Sequence, residues 1–290
     1  MSRRQLASAA RQDLEPPASR ALRLTLLAEE PPPASTTGLA GPHSDPDPPP
    51  QPVMAEPPHQ VRRGPLLAVC GCCGGAGTST LAYLVALAAA RARPEPVLVA
   101  DTGGTGGGLA HYAGVAAPYS LAEIAESLAA GLAPGRPYVA ASDGLRLLAT
   151  GPRFAPGCAR AGVELVLDDA RAAHALTVVD CGTLNREADQ IVLANASHIA
   201  WVLPATRSGV RRAQRMLDAI NPAPGRELVI ARRDEREPKA ALGDLKRIAE
   251  ERKAPLILVP HLPDLDVTST VNALDTAQVS LQAIHGLLER

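Results

Sequence analysis

Seven short, almost uninterrupted apolar runs, six of them followed by a stretch with helical spacing, constrain this chain more than any other feature. PLLAVC (65–70), PVLVAD (96–101), LRLLAT (145–150), LTVVD (176–180), HIAWVLP (198–204), ELVIA (227–231) and PLILVP (255–260) read as strands. Strands without polar alternation are covered on both faces. Helical patterns fall at 79–93, 120–130, 161–173, 208–220, 238–252 and 270–289. The second opens SLAE, a capping box with Ser120 as N-cap and Glu123 at the third helical position. This alternation predicts an α/β fold: a mostly parallel sheet of seven to eight strands with helices on both faces. Ligands of such sheets sit at the carboxyl ends of the strands. Three features fall there: a glycine-rich loop after the first strand, Asp101 ending the second, and Asp180 ending LTVVD.

The loop reads VCGCCGGAGTST over residues 69–80. Closely spaced glycines let successive backbone N–H groups point into one concavity, and the N-terminus of the following helix adds partial positive charge. Gly74, Gly75, Ala76, Gly77 and Thr78 form that frame, and Ser79 and Thr80 stand where a hydroxyl ligates Mg²⁺ or a phosphate. The phosphate-loop pattern GxxxxGK[ST] also requires a lysine to neutralise the outer phosphates. Here Thr78 occupies the lysine position and Cys72 the first glycine. The chain holds three lysines, Lys239, Lys246 and Lys253, against 26 arginines, so none lies near the loop in sequence.

The segment CGGAGTST resembles the loop KGGxGK[ST][ST] of the MinD/ParA family of P-loop proteins. Cys73 aligns with the signature lysine and Thr78 with the second one. STLA (79–82) and DTGGTGGGLA (101–110) resemble the CpaE-like, septum-site-determining branch, and the resemblance spans roughly residues 64–290. It implies ATP and Mg²⁺ as cofactors, with the metal held by Ser79, Asp101 and Asp180, and Asp101 in a catalytic role. It also implies a cytoplasmic homodimer that meets a protein partner in a membrane-associated machine, reaching the membrane only through that partner.

Several family positions are altered. Gly103 stands where a second Asp helps place the attacking water, Ala110 replaces a third Asp, and Ala231 and Arg232 occupy the region of an adenine-reading Asn. Phosphoryl transfer depends on cations and positioning, and removing one cationic contact costs roughly 10²–10⁴-fold in rate, about 3–5 kcal/mol. The expectation is a pseudo-ATPase that acts as regulator or scaffold in a localisation, secretion, pilus, conjugation or septum system. One alternative is a slow Mg-ATPase that borrows Arg207, Arg211 or Arg212 and dimerises on ATP. Another is a thiol-based metal or redox sensor built on Cys70, Cys72, Cys73 and Cys181, although CxCC is not zinc-finger spacing and small apolar residues commonly pack beside a tight loop.

Residues 1–62 hold 13 of the 28 prolines and no apolar periodicity. They are expected to form a disordered arm, with the P-loop domain spanning 63–290. ALRLTLLA (21–28) is the exception: it reads as a transient helix in that arm or, alternatively, as a strand or helical turn that docks elsewhere. Net charge is −1, which gives no electrostatic case for a nucleic-acid partner. The longest apolar run, LAYLVALAAA, is about half a membrane span. In the last segment Leu274, Ala277, Leu281, Ile284 and Leu288 share one face, and the single basic residue, Arg290, is too little for a membrane anchor. That helix is expected to dock on its own domain.

Overall fold

The computed structural model describes residues 63–102, 108–132, 137–142, 144–149, 160–232, 239–262 and 269–289. The expected arm over 1–62, ALRLTLLA and Gly103 lie outside them.

Among the described residues eight strands form one sheet: β1 (Leu66–Gly71), β2 (Val97–Asp101), β3 (Val139–Ser142), β4 (Leu145–Leu148), β5 (Leu176–Asp180), β6 (His198–Pro204), β7 (Glu227–Arg232) and β8 (Leu256–Val259). The helices are α1 (Thr78–Ala92), α2 (Gly108–Ala113), α3 (Leu121–Ala129), α4 (Arg160–Ala173), α5 (Glu187–Asn195), α6 (Arg207–Asp218), α7 (Lys239–Glu251) and α8 (Thr270–Leu288). The spatial order is β3-β4-β2-β5-β1-β6-β7-β8. Only β3 runs antiparallel to its neighbour. The first strand is thus central, and its carboxyl end lies between those of β5 and β6.

The continuous apolar runs have a simple cause. In β1, Leu67 and Val69 enter one core with α1, α2 and α8, while Leu66, Ala68 and Cys70 enter the opposite core with α3 to α7. A side-chain period of two then demands apolar residues at both phases. The five residues expected to share a face of α8 are all buried, and α8 packs along α1. The expected docking of that helix on its own domain is thereby met. Ser120 caps α3, with both hydrogen bonds of the capping box present.

Three elements escaped the sequence reading: β3, α2 and α5. Strand β3 is a half-exposed edge strand of four residues. Helix α2 has six residues, and α5 has nine, with buried Ala188, Asp189, Ile191 and Val192 giving only a weak apolar stripe. Among the described residues no helix is long and apolar enough to cross a membrane.

Two buried polar groups bear on stability. Arg252 reaches from the end of α7 under the sheet, bonding Glu227 through Nε (2.6 Å) and Nη2 (2.7 Å). It also donates to the carbonyls of Leu217 and Ile220, and lies 5.6 Å from the ring centroid of the fully buried Trp201. His174, after α4, sits 2.8 Å from the Ala170 carbonyl through Nδ1, packs edge-on against Tyr138, and leaves Nε2 buried without a partner. Burial, more than the nearby Arg146, lowers its pKa below the usual 6.5.

The sign follows from linkage. A histidine kept neutral in the folded state lets the unfolded chain take up the proton first, so its contribution is full above about pH 6.5 and is lost as pH falls below that value. His174→Phe is expected to flatten the decline of the urea midpoint between about pH 7.5 and 5.5. An unchanged slope would mean that His174 titrates normally.

Candidate functional site

The glycine loop joins β1 to α1 at the carboxyl edge of the sheet. Gly71 N–H donates to the Gly182 carbonyl (2.7 Å), tying the base of the loop to the end of β5. Gly75 and Gly77 have φ of 75° and 98°, a left-handed region that costs L side chains energy, and an added Cβ at either would meet nothing within 4 Å. These glycines are therefore required by backbone shape and not by crowding. No side chain caps α1, and its first turn holds no acidic residue. That N-terminus keeps the partial positive charge that favours an anion.

Side chains converge beneath the loop. Ser79 Oγ donates to Asp180 Oδ2, the Thr78 hydroxyl also bonds the Asp180 carboxylate, and Gly182 N–H donates to Oδ1 (3.0 Å). Asp180 is buried, and burial raises its pKa. The hydroxyls and the amide oppose that rise, while the charge of Asp189 adds to it. Asp101 is the register partner of Asp180 on β2 and is itself buried. Two carboxylates and a hydroxyl at one level make an all-oxygen donor set, which fits Mg²⁺ better than a softer metal. Ser79, Asp101 and Asp180, far apart in sequence, are thus brought together.

Beside Asp101 lies a network absent from the sequence reading. Thr102 donates its hydroxyl to Asp189 Oδ1 (2.5 Å) and its N–H to the Asp180 carbonyl (3.2 Å). Arg186 donates to the Thr102 hydroxyl (3.2 Å) through Nη1 and to Asp189 Oδ2 (3.0 Å) through its backbone N–H. Burial raises the pKa of Asp189, and these donors partly reverse it. Arg186 is thus a cation placed beside the site by the start of α5, a helix too short to be read from periodicity.

The arginines named from sequence stand elsewhere. Arg207, Arg211 and Arg212 are exposed on α6. Arg212 lies near enough to Cys72 for its charge to lower that thiol's pKa slightly, but desolvation and Cys73 dominate and push it up to about 12.

The thiols fall into two pairs. The free thiols of Cys70 and Cys181 face each other between β1 and β5, and Cys72 Sγ lies 3.8 Å from Cys73 Sγ. The neighbouring Cys70 thiol and burial raise the pKa of Cys181, so neither Cys72 nor Cys181 is a ready thiolate. Among the described residues no three His, Cys, Asp or Glu are grouped to hold a metal.

A cavity of about 290 Å³ opens beside the loop. Leu81, Val202, Ile230, Val259, Pro260 and Leu262 supply its apolar wall. Ala76, Gly77 and Thr80 form the edge shared with the loop, and His111, Tyr112 and Arg232 the polar remainder. The Tyr112 hydroxyl lies 3.2 Å from Thr80 Oγ1. An apolar recess abutting an anion-binding loop suits a ligand with one flat apolar end and one charged end.

No protein-family model matches the chain, and no curated protein matches it in sequence. Solved structures match its fold. A ParA family ATPase from Chlorobium tepidum aligns with 77% of the chain and 92% of its own length at 18% identity and TM-score 0.54. MinD in the MinC:MinD cell division complex of Aquifex aeolicus aligns with 78% and 97% at 20% identity and TM-score 0.55. A variant of McdA from Cyanothece, solved as a complex with ATP, aligns with 78% and 96% at 15% identity and TM-score 0.53. The chain therefore has the α/β fold of ParA and MinD ATPases.

Proposed function

We propose that this protein is a nucleotide-binding regulator or scaffold with impaired hydrolysis, related to the MinD/ParA proteins and nearest to the CpaE-like branch. One observation carries the reading. The glycine frame, the open N-terminus of α1 and the oxygens of Ser79, Asp101 and Asp180 persist, while Cys73 and Thr78 stand in place of both lysines. Such a site can hold a nucleotide by backbone amides and, through those oxygens, Mg²⁺, which would neutralise part of the phosphate charge. It lacks both loop lysines, the cations that would stabilise the charge that develops on transfer.

In this reading the protein forms a homodimer across the loop face and presents a surface to a partner in a membrane-associated machine. The complex of MinD with MinC supports that kind of assembly. Residues 1–62 act as the recruiting arm and residues 63–290 as the nucleotide-binding domain.

The test is to titrate nucleoside triphosphate, ATP and GTP separately, with Mg²⁺ while following binding and phosphate release. Saturable binding with release at background, and weaker binding by Ser79→Ala, is expected. Release above background that Ser79→Ala abolishes would overturn the loss of hydrolysis and favour a slow ATPase, for which Arg186 is the placed cation.

A further inference from the structure

The CxCC run of the loop has a geometry that nucleotide binding does not use. The four described cysteines are free thiols in two pairs, and the pairs differ in access. Cys70 and Cys181 are 0% and 1% exposed, whereas Cys73 alone of the four is not buried. A reagent arriving from solvent therefore meets Cys73 first. The Cys72 thiol, 3.8 Å away, is oriented to donate to Cys73 Sγ, and it also lies 3.8 Å from the Gly209 carbonyl in the first turn of α6.

The backbone around this pair is held on one side only. Before it, Gly71 N–H is bonded to the Gly182 carbonyl, and a Cβ on Gly71 would lie 2.8 Å from Thr78 Cγ2. After it, Gly74 and Gly75 are exposed, and an added Cβ at either would meet nothing within 4 Å. A displacement at Cys72 and Cys73 is thus taken up by residues 74–77, the part of the loop whose amides form the anion frame.

We propose that Cys72 and Cys73 are an oxidation site, converted by hydrogen peroxide into a disulfide between neighbouring residues that takes the loop out of its anion-holding shape. In the first step the Cys73 sulfur attacks one peroxide oxygen, the O–O bond breaks, water leaves, and Cys73 becomes a sulfenic acid. The Cys72 sulfur then displaces the hydroxyl, which departs as water with the Cys72 proton as the S–S bond forms. Two thiols lose two electrons and two protons, and the peroxide is reduced to two waters. Closure brings the sulfurs from 3.8 Å to about 2.05 Å. Successive Cα atoms are about 3.8 Å apart, below the span of about 4.4–6.8 Å usual for a disulfide, so the ring turns the peptide between them. It also draws Cys72 Sγ away from Gly209. The effect on ligand rests on the nucleotide-binding reading above; the oxidation itself does not.

The experiment treats the full chain with hydrogen peroxide, denatures it, alkylates the remaining thiols and sequences its tryptic peptides by mass spectrometry. Residues 64–91, between Arg63 and Arg91, hold Cys70, Cys72 and Cys73 in one peptide. That peptide is expected to be lighter by two hydrogens, with Cys72 joined to Cys73, and Cys70 and Cys181 alkylated. Cys72→Ser is expected to stop the reaction at a Cys73 sulfenic acid that dimedone traps, and Cys73→Ser to remove both bridge and trapping. A Cys70–Cys181 bridge in its place, a bridge from the loop to Cys158, or no bridge at all would overturn the site. ADP with Mg²⁺ is then titrated by calorimetry against reduced, oxidised and re-reduced protein. Oxidation is expected to weaken binding at least about tenfold, the loss of one amide bond to a charged phosphate, and dithiothreitol to restore it. Equal affinity of the bridged form would overturn the change of loop shape. If the reduced protein binds no nucleotide, the nucleotide reading fails, while the peptide map still decides the oxidation site.

Discussion

Arg252→Ala is expected to lower the unfolding free energy by about 3–5 kcal/mol, the cost of breaking a buried pair from one side. The side chains of Arg252 and Glu227 are only 6% and 1% exposed, so water cannot replace the lost partner. Truncation leaves the Glu227 carboxylate buried with its Ala223 N–H bond (3.1 Å) and without its cation, and strips donors from the carbonyls of Leu217, Ile220 and Asn221 at and beyond the end of α6. It also removes the cation facing Trp201. Against a typical total of about 5–15 kcal/mol, this is a large share of the stability of the domain. Urea denaturation measures it directly. Arg252→Met combined with Glu227→Leu should recover most of the loss, because a pair replaced by apolar groups leaves no orphan charge. A loss below about 1 kcal/mol for Arg252→Ala would show that solvent screens the pair.

The second large effect concerns chemistry and rests on the proposed function. Cys73→Lys combined with Thr78→Lys is expected to raise phosphate release by about 10²-fold or more, around 3 kcal/mol of barrier. The loop backbone already has the required turns at Gly75 and Gly77, so the change adds charge without rebuilding shape. At position 78 the substitution also exchanges a hydroxyl bond to Asp180 for an ammonium. A neighbouring cation favours the ionised carboxylate, the form that binds Mg²⁺. Single-turnover release is the measurement. If release stays at background while nucleotide binds, the missing lysines are not what limits hydrolysis.

The sheet was legible because burial on both faces writes itself into composition. Val and Leu at both phases of β1, β5 and β6 can mean little else in runs of five to seven residues. Long helices with wide apolar stripes were equally readable, as α8 shows. Short elements were not: β3 pairs on one side only, and α5 is held at its start by a polar contact, Asp189 with Thr102, which leaves no periodic trace. The frame of the candidate site was visible as Gly75, Gly77, Ser79, Asp101 and Asp180, since each lies at or just beyond a strand end. Arg186 was not, because its place depends on where a nine-residue helix begins. The cavity escaped for another reason: its walls come from β6, β7, β8 and α2, whose proximity is a property of strand order.

Asp180 has a consequence beyond ligand geometry. Its carboxylate holds the first turn of α1 through Ser79, and its carbonyl receives the N–H of Thr102, whose hydroxyl in turn grips Asp189 at the start of α5. Loop and helix are therefore two arms of one joint. The first turn of α1 and the start of α5 are thereby tied together through two residues, Asp180 and Thr102, that belong to neither helix.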